Sequence, residues 1–268
     1  MQGSRSFDRG CATGGPEAPY VVAVGGLDPS GGAGLVRDFI TAEALGAKGI
    51  LVGTAWTRQD EGGVRGVEPR SPEMVRAGIE HALAGCPIRA TAVKVGMVAR
   101  ADIVAAIVAA LDAWQGPVVF DPVLGASGGG SLFEGTPADL LPLMRRATIL
   151  TPNLAEAAWL AGMAVDTVDH ARHVARELVD RGAAAVLVKG GHLHGPPTDV
   201  LHSLVGERLY QGIRLPGTSP RGTGCALATA IAVGLARGQP LEQAVDAAKG
   251  WLAGRIEAAT TVGNSRYL

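Results

Sequence analysis

At 268 residues, with 47% hydrophobic and 18% charged side chains, the chain has the apolar content for a substantial core and none of the low-hydrophobicity, high-charge character of disordered proteins. A formal net charge of −1 excludes the broad basic surface that neutralises a nucleic-acid backbone, although a single nucleotide remains an easy ligand. Three scattered cysteines, Cys11, Cys86 and Cys225, make neither a disulfide framework nor a C-x-x-C zinc site, and suit a reducing, cytoplasmic location.

Residues 1–19 lack the apolar centre of a signal peptide and are expected to be a flexible tail ahead of one domain, residues 20–268. From there, β-branched runs at 20–24, 50–55, 92–95, 118–120, 148–150 and 185–188 alternate with helix-like segments at 35–45, 74–83, 102–114, 138–144, 154–161 and 169–180. That rhythm predicts an α/β fold in which crossover helices cover a mostly parallel sheet. Residues 199–205 and 208–211 predict an edge hairpin turning at Gly206-Glu207, after which two helices close the chain. The longest apolar run, 225–236, falls short of the ~20 residues of a membrane span and suits a buried helix.

In open α/β sheets, ligands bind beyond the carboxyl ends of the strands. There the sequence places Gly26 and Asp28 in a glycine-rich loop, then Gln59, Met97, Asp121, Asn153 with Glu156, and Lys189 before two glycines. Gly222-Thr223-Gly224 leads straight into the apolar run that begins at Cys225. Unpaired N–H groups at such a helix start offer an anion hole for a phosphoryl group, while the same residues also read as a plain glycine turn with a threonine N-cap. No Walker A loop and no G-x-G-x-x-G spacing occurs.

Asp121 ends an apolar strand beside the glycine-rich loop 125–130, and one or two carboxylates near a triphosphate suffice for magnesium. Glu156 is the natural second carboxylate, but Asn153 and Glu156 have equally the spacing of a capping box. Only four of the 24 basic residues are lysines, and Lys94 and Lys189 both interrupt apolar strands. Lys189 is placed to direct a cation at phosphate oxygens, or else to snorkel from the sheet edge. Cys225, at a helix start, is either a thiolate-prone residue or a small buried thiol. Met97 and Val123 read as core when taken singly, and His192 and His194 lack the companions of a metal site.

Taken in order, Gly26-Leu27-Asp28-Pro29-Ser30-Gly31-Gly32-Ala33-Gly34, Lys94-Val95-Gly96-Met97, Asp121-Pro122-Val123, Thr151-Pro152-Asn153-Leu154-Ala155-Glu156, Lys189-Gly190-Gly191-His192 and Gly222-Thr223-Gly224-Cys225 resemble the hydroxymethylpyrimidine/phosphomethylpyrimidine kinase family. The resemblance spans residues 20 to about 255 and implies a ribokinase-like three-layer α/β/α sandwich. It implies ATP-dependent phosphorylation of 4-amino-5-hydroxymethyl-2-methylpyrimidine and then of its monophosphate, in thiamin biosynthesis, with Mg2+ and a homodimeric assembly. It also implies that Gly26, Asp28, Gln59, Met97 and Val123 bind the pyrimidine, that Asn153, Lys189 and Thr223 bind ATP, and that Asp121 and Glu156 organise the metal. Gly222, Thr223, Gly224, Cys225 and Lys189 would carry the transfer. The family usually has His where Arg221 stands and Thr where Ala226 stands. A pyridoxal or pyridoxine kinase shares much of this pattern, and a non-catalytic ligand-binding protein on the same scaffold is the alternative from another class.

Overall fold

The computed structural model describes residues 18–60, 63–125, 130–214, 220–262 and 265–268, so the expected tail at 1–19 lies almost entirely outside the described residues. The chain runs β1 (Tyr20–Leu27), α1 (Gly34–Ala44), β2 (Lys48–Asp60), β3 (Gly63–Pro69), α2 (Pro72–Ala84), β4 (Thr91–Val95), β5 (Ala99–Arg100), α3 (Ala101–Ala110) and β6 (Val118–Phe120). It continues through β7 (Phe133–Glu134), α4 (Pro137–Arg146), β8 (Ile149–Leu150), α5 (Leu154–Ala161), α6 (Val168–Asp180), β9 (Ala185–Val188), β10 (Thr198–Ser203), β11 (Gly206–Gln211), α7 (Thr223–Ala236), α8 (Leu241–Glu257), β12 (Thr260–Val262) and β13 (Ser265–Tyr267).

The main sheet has the order β11-β10-β9-β8-β6-β4-β1-β2-β3 among the described residues. Its centre, from β9 through β2, is parallel, and antiparallel strands close both edges. A parallel strand is covered on both faces, which is why these segments are apolar throughout. Side-chain alternation sorts them: Val22, Val24, Val93, Val95, Phe120 and Val186 join one core with α2 to α6, whereas Val21, Ala92, Val119 and Leu187 join a second with α1, α7 and α8. The result is the expected three-layer α/β/α sandwich. Gly234 of α7 allows the close packing of α8, since a Cβ there would lie 2.8 Å from the Ala244 Cβ.

Three expectations need correction. The edge hairpin turns at Leu204-Val205, because Ser203 pairs with Gly206 and His202 with Glu207. Gly206 supplies a φ of +149°, and the two apolar turn residues point into solvent. The strand expected at 50–55 extends to Asp60 and folds back as β3, a pairing that its short apolar run does not signal. Beyond the two closing helices comes the β12–β13 hairpin, in which Thr260 pairs with Tyr267.

Candidate active site

The strand order reverses beside β1, and the loops at the carboxyl ends of β1, β4, β6, β8 and β9 converge there. Gly26 has no side chain because a Cβ would lie 2.6 Å from the Met97 Sδ, so the Met97 thioether crosses the end of β1. Gly34 sits at φ +58° with the Gly26 carbonyl oxygen 2.3 Å from where its Cβ would be, which leaves glycine as the only fit. Between them Asp28 shapes the turn: its Oδ1 accepts the Ser30 N–H at 2.9 Å. Its Oδ2 is buried without a hydrogen-bond partner among the described residues and lies 3.5 Å from Arg221 Nη2.

Across the cleft, Asp121 Oδ1 accepts from Lys189 Nζ at 2.7 Å and from Thr151 Oγ1 at 3.1 Å. Burial works to raise the Asp121 carboxyl, but Lys189 and Lys94 override it and hold the group below the usual carboxylate range. Burial likewise opposes the Lys189 charge, and Asp121 with Glu156 more than restores it. The loop after Lys189 is fixed from behind, where Asp199 Oδ1 accepts the Gly190 N–H at 2.8 Å and Lys249 Nζ holds Asp199 Oδ2 at 2.5 Å. Neither Asp199 nor Lys249 has a local sequence signal for this task.

The capping-box reading of Asn153 and Glu156 is realised. Asn153 Oδ1 accepts the Glu156 N–H at 2.9 Å, and Glu156 Oε2 accepts the Asn153 N–H at 2.7 Å. Burial, reinforced by the charge of Asp121 and opposed by Lys189, pushes the Glu156 carboxyl up to about 7. Two buried acids thus influence each other beside one lysine, and this set of hard oxygen donors fits magnesium, which needs few carboxylates when phosphates and water complete its shell. An open cavity of about 450 Å³, bordered by Gly125, Phe133, Asn153, Glu156 and Trp159, adjoins this corner.

At the start of α7, Gly222 is the N-cap at φ +79°, with the Gly32 carbonyl oxygen 2.3 Å from where a Cβ would be. The corresponding Cβ at Gly224 would lie 3.1 Å from Lys189 Nζ and 3.8 Å from Asp121 Oδ2. The glycines therefore press the free N–H groups of a helix start against a lysine and a carboxylate, an arrangement suited to phosphate oxygens. Thr223 is the first residue of the helix, and its hydroxyl caps nothing. Cys225 follows, buried. Burial, with Asp38 and Asp121, pushes its thiol up to about 11 against the pull of Lys94, which favours the small buried thiol over the thiolate-prone reading.

The structure brings Gly26, Asp28, Met97, Asp121, Asn153, Glu156, Lys189 and Gly222 to Cys225 to one end of the sheet. Met97 and the half-buried Val123 also pack against the core, as their bland readings had it. Gln59 stands on the overhanging end of β2, opposite Val64, and its side chain lies outside the described residues, as does most of the 125–130 loop. His192 and His194 join no metal-type cluster among the described residues. Sequence reasoning missed Asp38, which holds Lys94 beneath α7, and Thr229, whose hydroxyl donates to Asp38; an acid in line with Leu35 and Ala42 on the buried face of α1 was the available signal.

The family model described as phosphomethylpyrimidine kinase matches residues 28–267. A Rhizobium meliloti (strain 1021) protein named hydroxymethylpyrimidine/phosphomethylpyrimidine kinase is 41% identical over 89% of this chain and 90% of its own length. The crystal structure of phosphomethylpyrimidine kinase from Clostridium difficile 630 superposes with a TM-score of 0.77 at 33% identity, covering 89% of this chain and 99% of that one. Pyridoxal kinase from Staphylococcus aureus, solved with AMP-PCP and pyridoxal, superposes with a TM-score of 0.83 at 25% identity, covering 94% and 93%. Matched motifs, a shared site and similarity along nearly the whole length agree: this chain belongs to the phosphomethylpyrimidine kinase family.

Proposed function

We propose that the site at the start of α7 transfers the γ-phosphoryl group of ATP to the hydroxymethyl oxygen of 4-amino-5-hydroxymethyl-2-methylpyrimidine, and then a second one to the resulting monophosphate, in thiamin biosynthesis. The observation that carries this is the meeting of Lys189, Asp121 and Gly224, with the 2.7 Å Lys189–Asp121 pair set against the free N–H groups of α7. Names of relatives at 35–41% identity support the pyrimidine acceptor.

In this reading the acceptor lies between Gly26, Asp28, Gln59, Met97 and Val123. Its oxygen attacks the γ-phosphorus, the bond from that phosphorus to the β–γ bridging oxygen breaks, and ADP leaves. Charge spreading over the transferred group's oxygens meets the Thr223, Gly224 and Cys225 N–H groups and the Lys189 ammonium. Asn153 and Thr223 contribute to the ATP side. With its thiol pushed up to about 11, Cys225 positions rather than deprotonates, and late in a loose transition state the alcohol proton passes to an oxygen of the phosphoryl group being transferred. Asp121 and Glu156 would hold magnesium, which when bound neutralises phosphate charge.

A homodimer belongs to the same proposal. Phe39, Ile40, Leu51 and Trp56, on α1 and the neighbouring β2, are each 42–54% exposed, an apolar surface that a second copy would cover.

Purified protein with Mg2+ and ATP, offered hydroxymethylpyrimidine, its monophosphate or pyridoxal in separate reactions read by mass spectrometry, tests the assignment. Mono- and diphosphate from the pyrimidine reactions are expected. Product from pyridoxal alone would transfer the chain to vitamin B6 chemistry, and none from folded, ATP-binding protein would leave a binding role.

A further inference from the structure

Among the described residues four cations stand near the start of α7, and two are committed to carboxylates. Lys94 Nζ is bound to Asp38 Oδ2 at 2.8 Å and Lys189 Nζ to Asp121 Oδ1 at 2.7 Å. Arg37, buried, donates from both terminal nitrogens, to the Leu268 carbonyl oxygen at 3.0 Å and to the Gly31 carbonyl oxygen at 3.4 Å, and only its Nε is without a partner among the described residues. Arg221 differs. Its backbone is pinned, with the N–H donated to the Arg266 carbonyl oxygen at 2.9 Å and a bridge to Tyr267, whereas among the described residues its guanidinium has only the 3.5 Å approach to Asp28 Oδ2. That head lies over the Gly31-Gly32 turn, since a Cβ at Gly32 would be 3.2 Å from Arg221 Nε and 3.3 Å from the Tyr267 ring. It therefore occupies the seam between the Asp28 loop and the proposed anion hole, with 19% of the side chain exposed.

We propose that Arg221 is a specificity-determining residue for the second acceptor, the phosphate monoester. The two acceptors differ by a phosphate dianion. Because both are phosphorylated at one place, that dianion must enter the seam on the loop side of the anion hole, away from Lys189. A guanidinium with spare N–H donors on a fixed backbone binds a phosphate by charge-assisted, bidentate contacts. Asp28, buried beside it, holds the head in the seam while a neutral alcohol is bound. This inference rests on the proposed placement of acceptor loop and anion hole.

The experiment measures kcat and KM separately for hydroxymethylpyrimidine and for its monophosphate, at saturating MgATP, in the wild type, R221Q, R221K and G222A. For R221Q the ratio of kcat/KM for monophosphate to that for alcohol should fall about tenfold or more, chiefly through KM, with partial recovery in R221K. Added salt should raise the wild-type KM for the monophosphate more than that for the alcohol, a readout that needs no variant to fold. Equal changes for both acceptors, or a salt effect without preference, would overturn the role of Arg221. The fate of the site reading is separate: it predicts that G222A, which pushes the α7 N–H groups off the phosphate position, impairs both transfers, and full retention of both would reject the site itself.

Discussion

Lys94 Nζ lies 2.8 Å from Asp38 Oδ2 with both side chains shut off from water, and Thr229 Oγ1 donates to the other oxygen of Asp38 at 2.9 Å. Burial opposes the Lys94 ammonium and Asp38 overrides it, so the pair joins β4, α1 and α7 through a charge that neither partner would carry alone. Thr229 is one turn beyond Cys225, which makes this trio the floor under the helix start.

Removing one partner should be far worse than removing both. Lys94→Met strands a buried carboxylate and should cost about 3–5 kcal/mol in urea unfolding, while Lys94→Met with Asp38→Leu should recover most of it. Equal losses for single and double variants would mean that the pair contributes nothing of its own.

The Glu156 carboxyl is raised from 4.5 to about 7 by burial and by Asp121, so the stability tied to its neutral form is complete below the lower value and lost as pH rises through the upper one. Glu156→Gln keeps an oxygen for the Asn153 N–H and loses the charge. Its unfolding free energy should match the wild type near pH 4 and exceed it by about 1–3 kcal/mol at pH 8, with activity reduced. A variant less stable than the wild type at pH 8 would refute this.

Gly222→Ala places a Cβ 2.3 Å from the Gly32 carbonyl oxygen at a φ of +79°. The N–H groups of α7 must then move away from the phosphate position, and kcat should drop about 100-fold while far-UV circular dichroism stays native. Unchanged kcat would remove the glycine turn from the mechanism.

The Cys225 thiol, pushed up to about 11 by burial first and by Asp38 and Asp121 next, should resist reagents that need a thiolate. With Cys11 and Cys86 replaced by serine, iodoacetamide at pH 8 should label the native protein about 100-fold more slowly than the unfolded chain. Rapid labelling would indicate a thiolate and reopen the question of a base.

Much of this site is legible from residues alone because each strand end carries its chemistry in the next few positions: Asp121 after β6, Asn153 and Glu156 after β8, Lys189 after β9. What stays hidden depends on separation. Lys94 stands out as a cation in an apolar strand, yet its partner lies 56 residues away, and Thr229 lies 191 residues from Asp38. The β2–β3 overhang and the β12–β13 hairpin escape for a different reason, since β3 (GVRGVEP), β12 (TTV) and β13 (SRY) carry too few apolar residues to show a strand period. Leu204 and Val205 misled the strand assignment because hydrophobicity outweighed the glycine that follows them.

The two faces of the sheet are covered at different times. As the chain leaves the ribosome, α2 to α6 can shield Val22, Val95 and Phe120 as each strand arrives, but on the opposite face α1 is the only cover among the described helices until residues 223–248 are made. Until α7 is made, Val119 and Leu187 stay open to water and Asp38 lacks the Thr229 hydroxyl. A nascent chain paused in that interval carries an apolar face without its cover, and it is there that chaperone binding or misassembly would begin.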